Sequence, residues 1–246
     1  MIKIQNRYLK VAYEEFEIRL HEVESYIDFV EKISTIDDPC LTSSKPDFSE
    51  APYEINRELT KTLRASSYLM LYNLLESTMS NAIDSIYETI KSEQCDIMNL
   101  SKKLHKIILK NLQKGLTQEK ITELSNNHLD HRERLFDLGY NKKKLFSGNI
   151  DCKIISEYCQ KYDFELCPIP QEDKKSACWD KNAILKIKTE RNNLAHGSVS
   201  FETCGGQMAV ESLRSNLNNV RAVLLGVFNG LDIYMNEKKY LKNPNT

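Results

Sequence analysis

A chain of 246 residues with 41% hydrophobic content is long enough to bury a substantial core as one large domain, or as a domain with an extension. The formal net charge of −1 excludes a globally basic coat for nucleic acid, so any RNA contact must come from local patches. Seven scattered cysteines without a CxxC pair, and an N-terminus without a basic-then-apolar leader, predict a reduced, cytoplasmic protein; no apolar run approaches the roughly 18 residues that span a bilayer, so no membrane partner is expected.

Glycine is scarce, at 8 residues, and alternating apolar and polar runs bounded by turns are hard to find, so the fold class predicted is all-α. Residues 5–34 carry Tyr8, Val11, Ala12, Phe16, Leu20, Val23, Ile27, Val30 and Ile33 at helical spacing, with acidic residues opposite. This is an amphipathic helix that needs a partner, and it is expected to pack on the outside of the bundle. The segment from Ser34 to Pro52, with Pro39, Pro46 and Pro52, reads as a linker or ordered loop. The division expected is therefore an N-terminal helix and linker over 1–50, followed by a helical domain over 51–246. Residues 1–60 are net −6 and residues 91–200 net +5, which separates an acidic surface from the basic half.

A second helix is predicted over 55–92, with Tyr68, Leu71, Leu75, Met79, Ala82, Ile83, Ile86 and Ile90 as its inner stripe. Asn73 and Glu76, three residues apart, share one face of it; a solvated or capped polar edge is one reading of the pair. One or two shorter helices follow over 98–125, broken near Gly115. Lys102, Lys103, Lys106, Lys110 and Lys114 could line one side of them, either as a solvated face or as a phosphate contact. Short helices are expected near 130–138 and 150–161. Between them, Tyr140-Asn141-Lys142-Lys143-Lys144-Leu145-Phe146 sets three lysines between two aromatics. That is either a single-strand contact, with charge for phosphates and rings for bases, or an exposed basic loop with its rings tucked inward. His128 and His131 precede Cys152, Cys159, Cys167 and Cys178, but only the two histidines are close in sequence. Zinc needs four converging ligands, and no metal or other cofactor is expected.

Asp180 suits the N-cap of a helix over 181–196 with Ile184, Ile187, Leu194 and Ala195 inward. It ends in Arg191-Asn192-Asn193-Leu194-Ala195-His196-Gly197, where a glycine stands at the position that often closes a helix in the left-handed conformation. An imidazole titrates near neutrality and shuttles protons; a guanidinium forks onto phosphate oxygens and stabilises charge. On a regular helix Arg191 and His196 lie about 140° apart, whereas Asn192 and His196 are separated by only about 40°. Two remedies reconcile that divergence with one site: the helix end unwinds at Gly197, or a second copy of the motif faces the first across a homodimer. After a Gly205-Gly206 turn, a last helix over 207–239 presents Val210, Leu213, Leu217, Val220, Leu224, Val227, Leu231 and Tyr234.

Arg191, four intervening residues and His196, with a polar residue directly after the arginine, resemble the motif of the HEPN superfamily of all-helical ribonucleases. The wider run, from Lys188 through Glu190-Arg191-Asn192 to His196-Gly197-Ser198 and Ser200-Phe201, is most similar to the MAE-type HEPN branch. The resemblance implies a HEPN-like antiparallel helical bundle, here with an N-terminal helical extension, and a composite cleft built from two motifs. It implies that Glu76 lies beside the motif and orients Arg191 or His196. It also implies a toxin or antiviral effector that cuts RNA, with a possible antitoxin or sensor protein as partner. Toxins of this kind paired with a nucleotidyltransferase often carry a tyrosine two residues after the histidine; Ser198 stands there, which speaks against control by adenylylation.

No glycine-rich phosphate loop, HExxH or serine nucleophile elbow is present, so a P-loop ATPase, a zincin and an α/β-hydrolase are disfavoured. What remains is metal-independent chemistry on a phosphodiester, and with the resemblance the leading expectation is an endoribonuclease acting on RNA, whose ribose supplies its own nucleophile. His196 would activate the 2′-hydroxyl or protonate the leaving oxygen, Arg191 would stabilise the phosphorane, and Asn192 would hold the imidazole or a phosphate oxygen. Asn73 and Glu76 would support the site, while Lys142, Lys143, Lys144 and Lys188 would reach phosphates. The competing class is a non-catalytic module that binds RNA or protein through the same fold.

Overall fold

The structure, a computed structural model, describes residues 2–42, 51–119, 122, 131–142, 145–146, 148–168 and 179–243. The helices are α1 (Arg7–Thr35), α2 (Arg57–Ser92), α3 (Lys102–Gly115), α4 (His131–Gly139), α5 (Cys152–Tyr162), α6 (Lys181–Ala195), α7 (Phe201–Gly206) and α8 (Glu211–Asn236). The fold is all-α, as expected. A two-residue ladder qualifies the expectation of no sheet: β1 (Cys40–Leu41) pairs antiparallel with β2 (Tyr53–Glu54), Cys40 opposite Glu54 and Leu41 opposite Tyr53. It lies in the proline-bearing connection between α1 and α2.

Short polar side chains start these helices by accepting orphan N–H groups. Asn6 takes those of Tyr8 and Leu9, Asn56 that of Leu59, and Ser101 that of Leu104. Asp151, Asp180 and Ser200 do the same for Ile154, Asn182 and Thr203. Each such cap contributes about 1 kcal/mol. A 3₁₀ turn, Ile97–Asn99, precedes α3 and is capped by Asp96.

Contacts group the chain into two compact units. Unit 1 comprises Met1–Glu15, Glu76–Cys178 and Ala222–Thr246; unit 2 comprises Phe16–Leu75 and Trp179–Arg221. In unit 1, Tyr13 meets Phe228 edge to face, Gln5 donates its N–H to Asp232, and Leu100 bridges to Leu241. α3 packs against α4 and α5. Tyr87 stacks on Tyr140 at 3.6 Å and shares a hydroxyl hydrogen bond of 3.0 Å with buried Tyr162. In unit 2, Arg214 bridges Asp28 and Glu31, and the Tyr26 hydroxyl donates to the Leu63 carbonyl at 2.7 Å.

The predicted inner stripes of α2 and α8 are buried, apart from half-buried Val210, which lies just ahead of α8. α2 goes further: Leu71, Tyr72, Leu74 and Leu75 are all buried, so it is covered around most of its circumference and no single stripe describes it. On α1 the stripe is buried except at Tyr8, half-buried, and Val11, which is 50% exposed because Ala12 and Tyr13 take the inward positions beside it. The C-terminal third also differs from expectation. Gly205-Gly206 closes α7 instead of forming a bare turn, and the last helix begins at Glu211 and ends at Asn236. A Cβ on Gly205 would stand 1.8 Å from the Lys61 carbonyl oxygen, so only glycine lets α7 seat on the backbone of α2. Lys61 then reaches Glu202 of α7 at 2.9 Å. Among the described residues no helix is long and apolar enough to cross a membrane.

Candidate functional site

The end of α6 is built as a Schellman cap. His196 is the C-cap at φ −92° and ψ 0°, and its N–H still bonds the Asn192 carbonyl at 3.0 Å. Gly197 follows at φ 69°; its N–H bonds Leu194 at 3.2 Å while that of Ser198 bonds Asn193 at 2.9 Å. Unwinding thus starts after His196, whose helical bond to Asn192 is intact. The His196 backbone therefore keeps its helical position, about 140° around the axis from Arg191. A Cβ on Gly197 would meet nothing within 4 Å, so the left-handed backbone alone demands glycine. Gly197→Ala is expected to lower the stability of the protein by about 1–2 kcal/mol in urea melts, the cost of a Cβ in that conformation; an unchanged midpoint and slope would contradict the assignment.

Arg191 is fixed from two sides. Its guanidinium carbon lies 4.4 Å from the ring centroid of Tyr72, a fully buried tyrosine of α2, and its Nη1 donates to Asn192 Oδ1 at 2.9 Å. A guanidinium has five N–H donors, so the rest remain for an incoming anion. Tyr72 lies outside the predicted stripe of α2. A signal for it existed: Tyr68 and Tyr72 are four residues apart, on one face of the helix.

The opposite side of the motif helix is open. His196 is exposed, and among the described residues its ring has no hydrogen-bond partner. Asn192, one turn earlier, is half-buried, and Leu185, a further seven residues back, is 47% exposed. These three fall within about 40° of one line along α6. Ile184, Ile187 and Leu194 are buried as predicted, but Ala195 is exposed, because it follows Leu194 by about 100° and emerges beside His196.

Behind the motif, Glu190 accepts from Asn193 Nδ2 at 3.5 Å and from the buried Cys204 thiol at 3.7 Å. Burial, reinforced by the Glu190 carboxylate, pushes that thiol up to about 11; burial with Cys204 and Glu190 alongside also raises the Tyr68 phenol well above its ordinary range. These groups hold the inner side of α6 to α2 and α7.

The remaining predicted residues are placed as follows. Asn73 is exposed on α2. The Glu76 carboxylate accepts the Gly148 N–H at 2.8 Å. Lys142 pairs with Asp84 at 2.7 Å; Lys143 and Lys144 lie outside the described residues, as do His128 and Cys178. Lys188 is half-buried on α6. The rings flanking the lysine triplet are tucked inward: Tyr140 stacks on Tyr87 and donates to Asp84 at 2.9 Å, and buried Phe146 lies 4.5 Å from the Tyr158 ring. Neither ring is presented to a base. No group of three or more potential metal ligands occurs among the described residues.

Compared with known families, the HEPN_MAE_28990-like HEPN model matches residues 9–240. The chain belongs to this HEPN family. The match begins inside α1 and takes in α6 with Arg191 and His196. No curated protein and no solved structure matches. HEPN membership supports a ribonuclease-like or RNA-binding role at the coarse level.

Proposed function

We propose that this HEPN protein is a metal-independent endoribonuclease, acting as a toxin or antiviral effector, with Arg191, Asn192 and His196 as its catalytic residues. The observation that carries this reading is the division of α6. An arginine is immobilised on a buried ring with donors to spare, and a histidine stands open at the helix end on the other side. In the reaction, the ribose 2′-oxygen attacks phosphorus and the P–O5′ bond breaks. One imidazole nitrogen takes the 2′-hydroxyl proton, an imidazolium returns a proton to the 5′-oxygen, and Arg191 neutralises the phosphorane between the two steps. Asn192 uses its oxygen to hold Arg191, which leaves its amide N–H groups for a phosphate oxygen.

Because His196 keeps its helical azimuth, a single copy of the motif splits the arginine from the imidazole. A homodimer with two α6 helices related by a two-fold axis closes the site, and the exposed Leu185 beside Asn192 and His196 suits the apolar part of such an interface. Asn73 and Lys188, in the same compact unit as the motif, would then act at its margin. The expected products of single-stranded RNA are 2′,3′-cyclic phosphate and 5′-hydroxyl ends, formed equally well with a chelator present. End-group analysis by mass spectrometry checks this, and 3′-hydroxyl ends or loss of activity on chelation would defeat the proposal. RNA or protein binding with no turnover would instead support the non-catalytic module.

A further inference from the structure

Unit 1 carries a concentration of charge that the motif does not use. α3 sets Lys103, Lys106, Lys110 and Lys114 within about 80° on one side, along about 16 Å of helix, while Leu104, Ile107, Ile108 and Leu112 are buried. Lys103 is tied to Asp163 at the C-terminal cap of α5. One half-turn back, α5 presents Lys161, whose ammonium lies 4.8 Å from the Tyr158 ring centroid and 5.5 Å from that of Tyr162. Burial against these rings, with Lys110 and Lys114 nearby, lowers the pKa of Lys161. Among the described residues, Lys106, Lys110, Lys114 and Lys161 have no carboxylate partner.

Like charges at i,i+4 destabilise a helix by a few tenths of a kcal/mol per pair, and a fourth cation converging from another helix adds to the repulsion. A polyanion relieves it. Lysines are point charges without the planar fork that matches one defined group, and the two rings beside Lys161 are already used, Tyr162 buried and Tyr158 packed on Phe146. Nothing here reads a base edge. We propose that the α3–α5 lysine ridge binds the phosphate backbone of the RNA strand, independently of sequence; the identity of the strand as RNA rests on the nuclease reading above.

The test uses the full-length protein and a labelled, fully 2′-O-methylated oligoribonucleotide, which binds but has no nucleophile to be cleaved. Affinity is measured across a salt series for wild type, for Lys110→Gln/Lys114→Gln/Lys161→Gln, and for the corresponding triple arginine variant. The glutamine variant is expected to lower the slope of log affinity against log salt by about 2, at about 0.7 per lost phosphate contact, and to lose on the order of a hundredfold in affinity near 0.1 M salt. The arginine variant is expected to bind as wild type. An unchanged slope in the glutamine variant overturns the proposal, as does equal loss in the arginine variant. Polyglutamate that binds as well, with the same lysine dependence, overturns the RNA assignment in favour of an acidic protein. Unmodified RNA keeps the two readings apart. Lysine-dependent binding without cleavage by wild type leaves the ridge and removes the nuclease; cleavage with an unaltered salt slope does the reverse.

Discussion

Replacing His196 with alanine is expected to lower cleavage of single-stranded RNA by two or more orders of magnitude, and Arg191→Ala to do the same. Loss of a proton-transfer group costs about 10²–10⁴-fold, and loss of one preorganised charge stabiliser about 10²–10³-fold. Both residues lend themselves to a clean test. His196 is exposed, so its removal leaves no cavity, and the cap at Gly197 is made by backbone groups alone. Arg191→Lys is the sharper variant. It keeps the charge but loses the planar group over Tyr72 and the Nη1 donor to Asn192, so a loss of about tenfold or more is expected although the formal charge is unchanged. Rates under single-turnover conditions, with thermal melts as a folding control, decide the matter. Wild-type cleavage by folded His196→Ala protein would place the chemistry elsewhere.

A ninefold excess of His196→Ala protomers is expected to depress wild-type activity well below dilution. If the site needs a histidine from each of two protomers, random reassociation leaves about one dimer in a hundred with both, against about one in ten by dilution alone. The physical basis is the intact bond from the His196 N–H to Asn192, which keeps the His196 backbone on the helix, about 140° around the axis from Arg191. The interface required should bury at least about 1,000 Å² in total, and Leu185→Glu, which puts a charge on the exposed face of α6, is expected to shift the protein towards monomer by sedimentation. Exchange of fluorescently labelled protomers must be complete before rates are read. Activity that falls only in proportion to dilution, or a fully active monomer, would refute the two-fold site.

Much of the helical plan was legible because long amphipathic helices write their burial as a period. The stripes of α2 and α8 hold almost residue for residue, and Asp180 and Gly197 bracket α6 with recognisable cap chemistry. The boundary before α8 was not legible. Gly205-Gly206 has the composition of a turn, and only the approach of α7 to the Lys61 carbonyl shows why glycine stands there inside a helix.

The sequence by itself determined the helical class, the cap that presents His196 and the Arg191–His196 spacing, because each depends on residues a few positions apart along one helix. The tertiary structure decided what each charge faces. It laid Arg191 on Tyr72, over a hundred residues away, turned Tyr140 and Phe146 inward onto Tyr87 and Tyr158, and gave Lys142 to Asp84. It also brought Lys161 beside the α3 lysines, where no local pattern announced it. Electrostatic partners depend on distances of a few ångströms between segments remote in sequence, and a helical period carries no information about those distances.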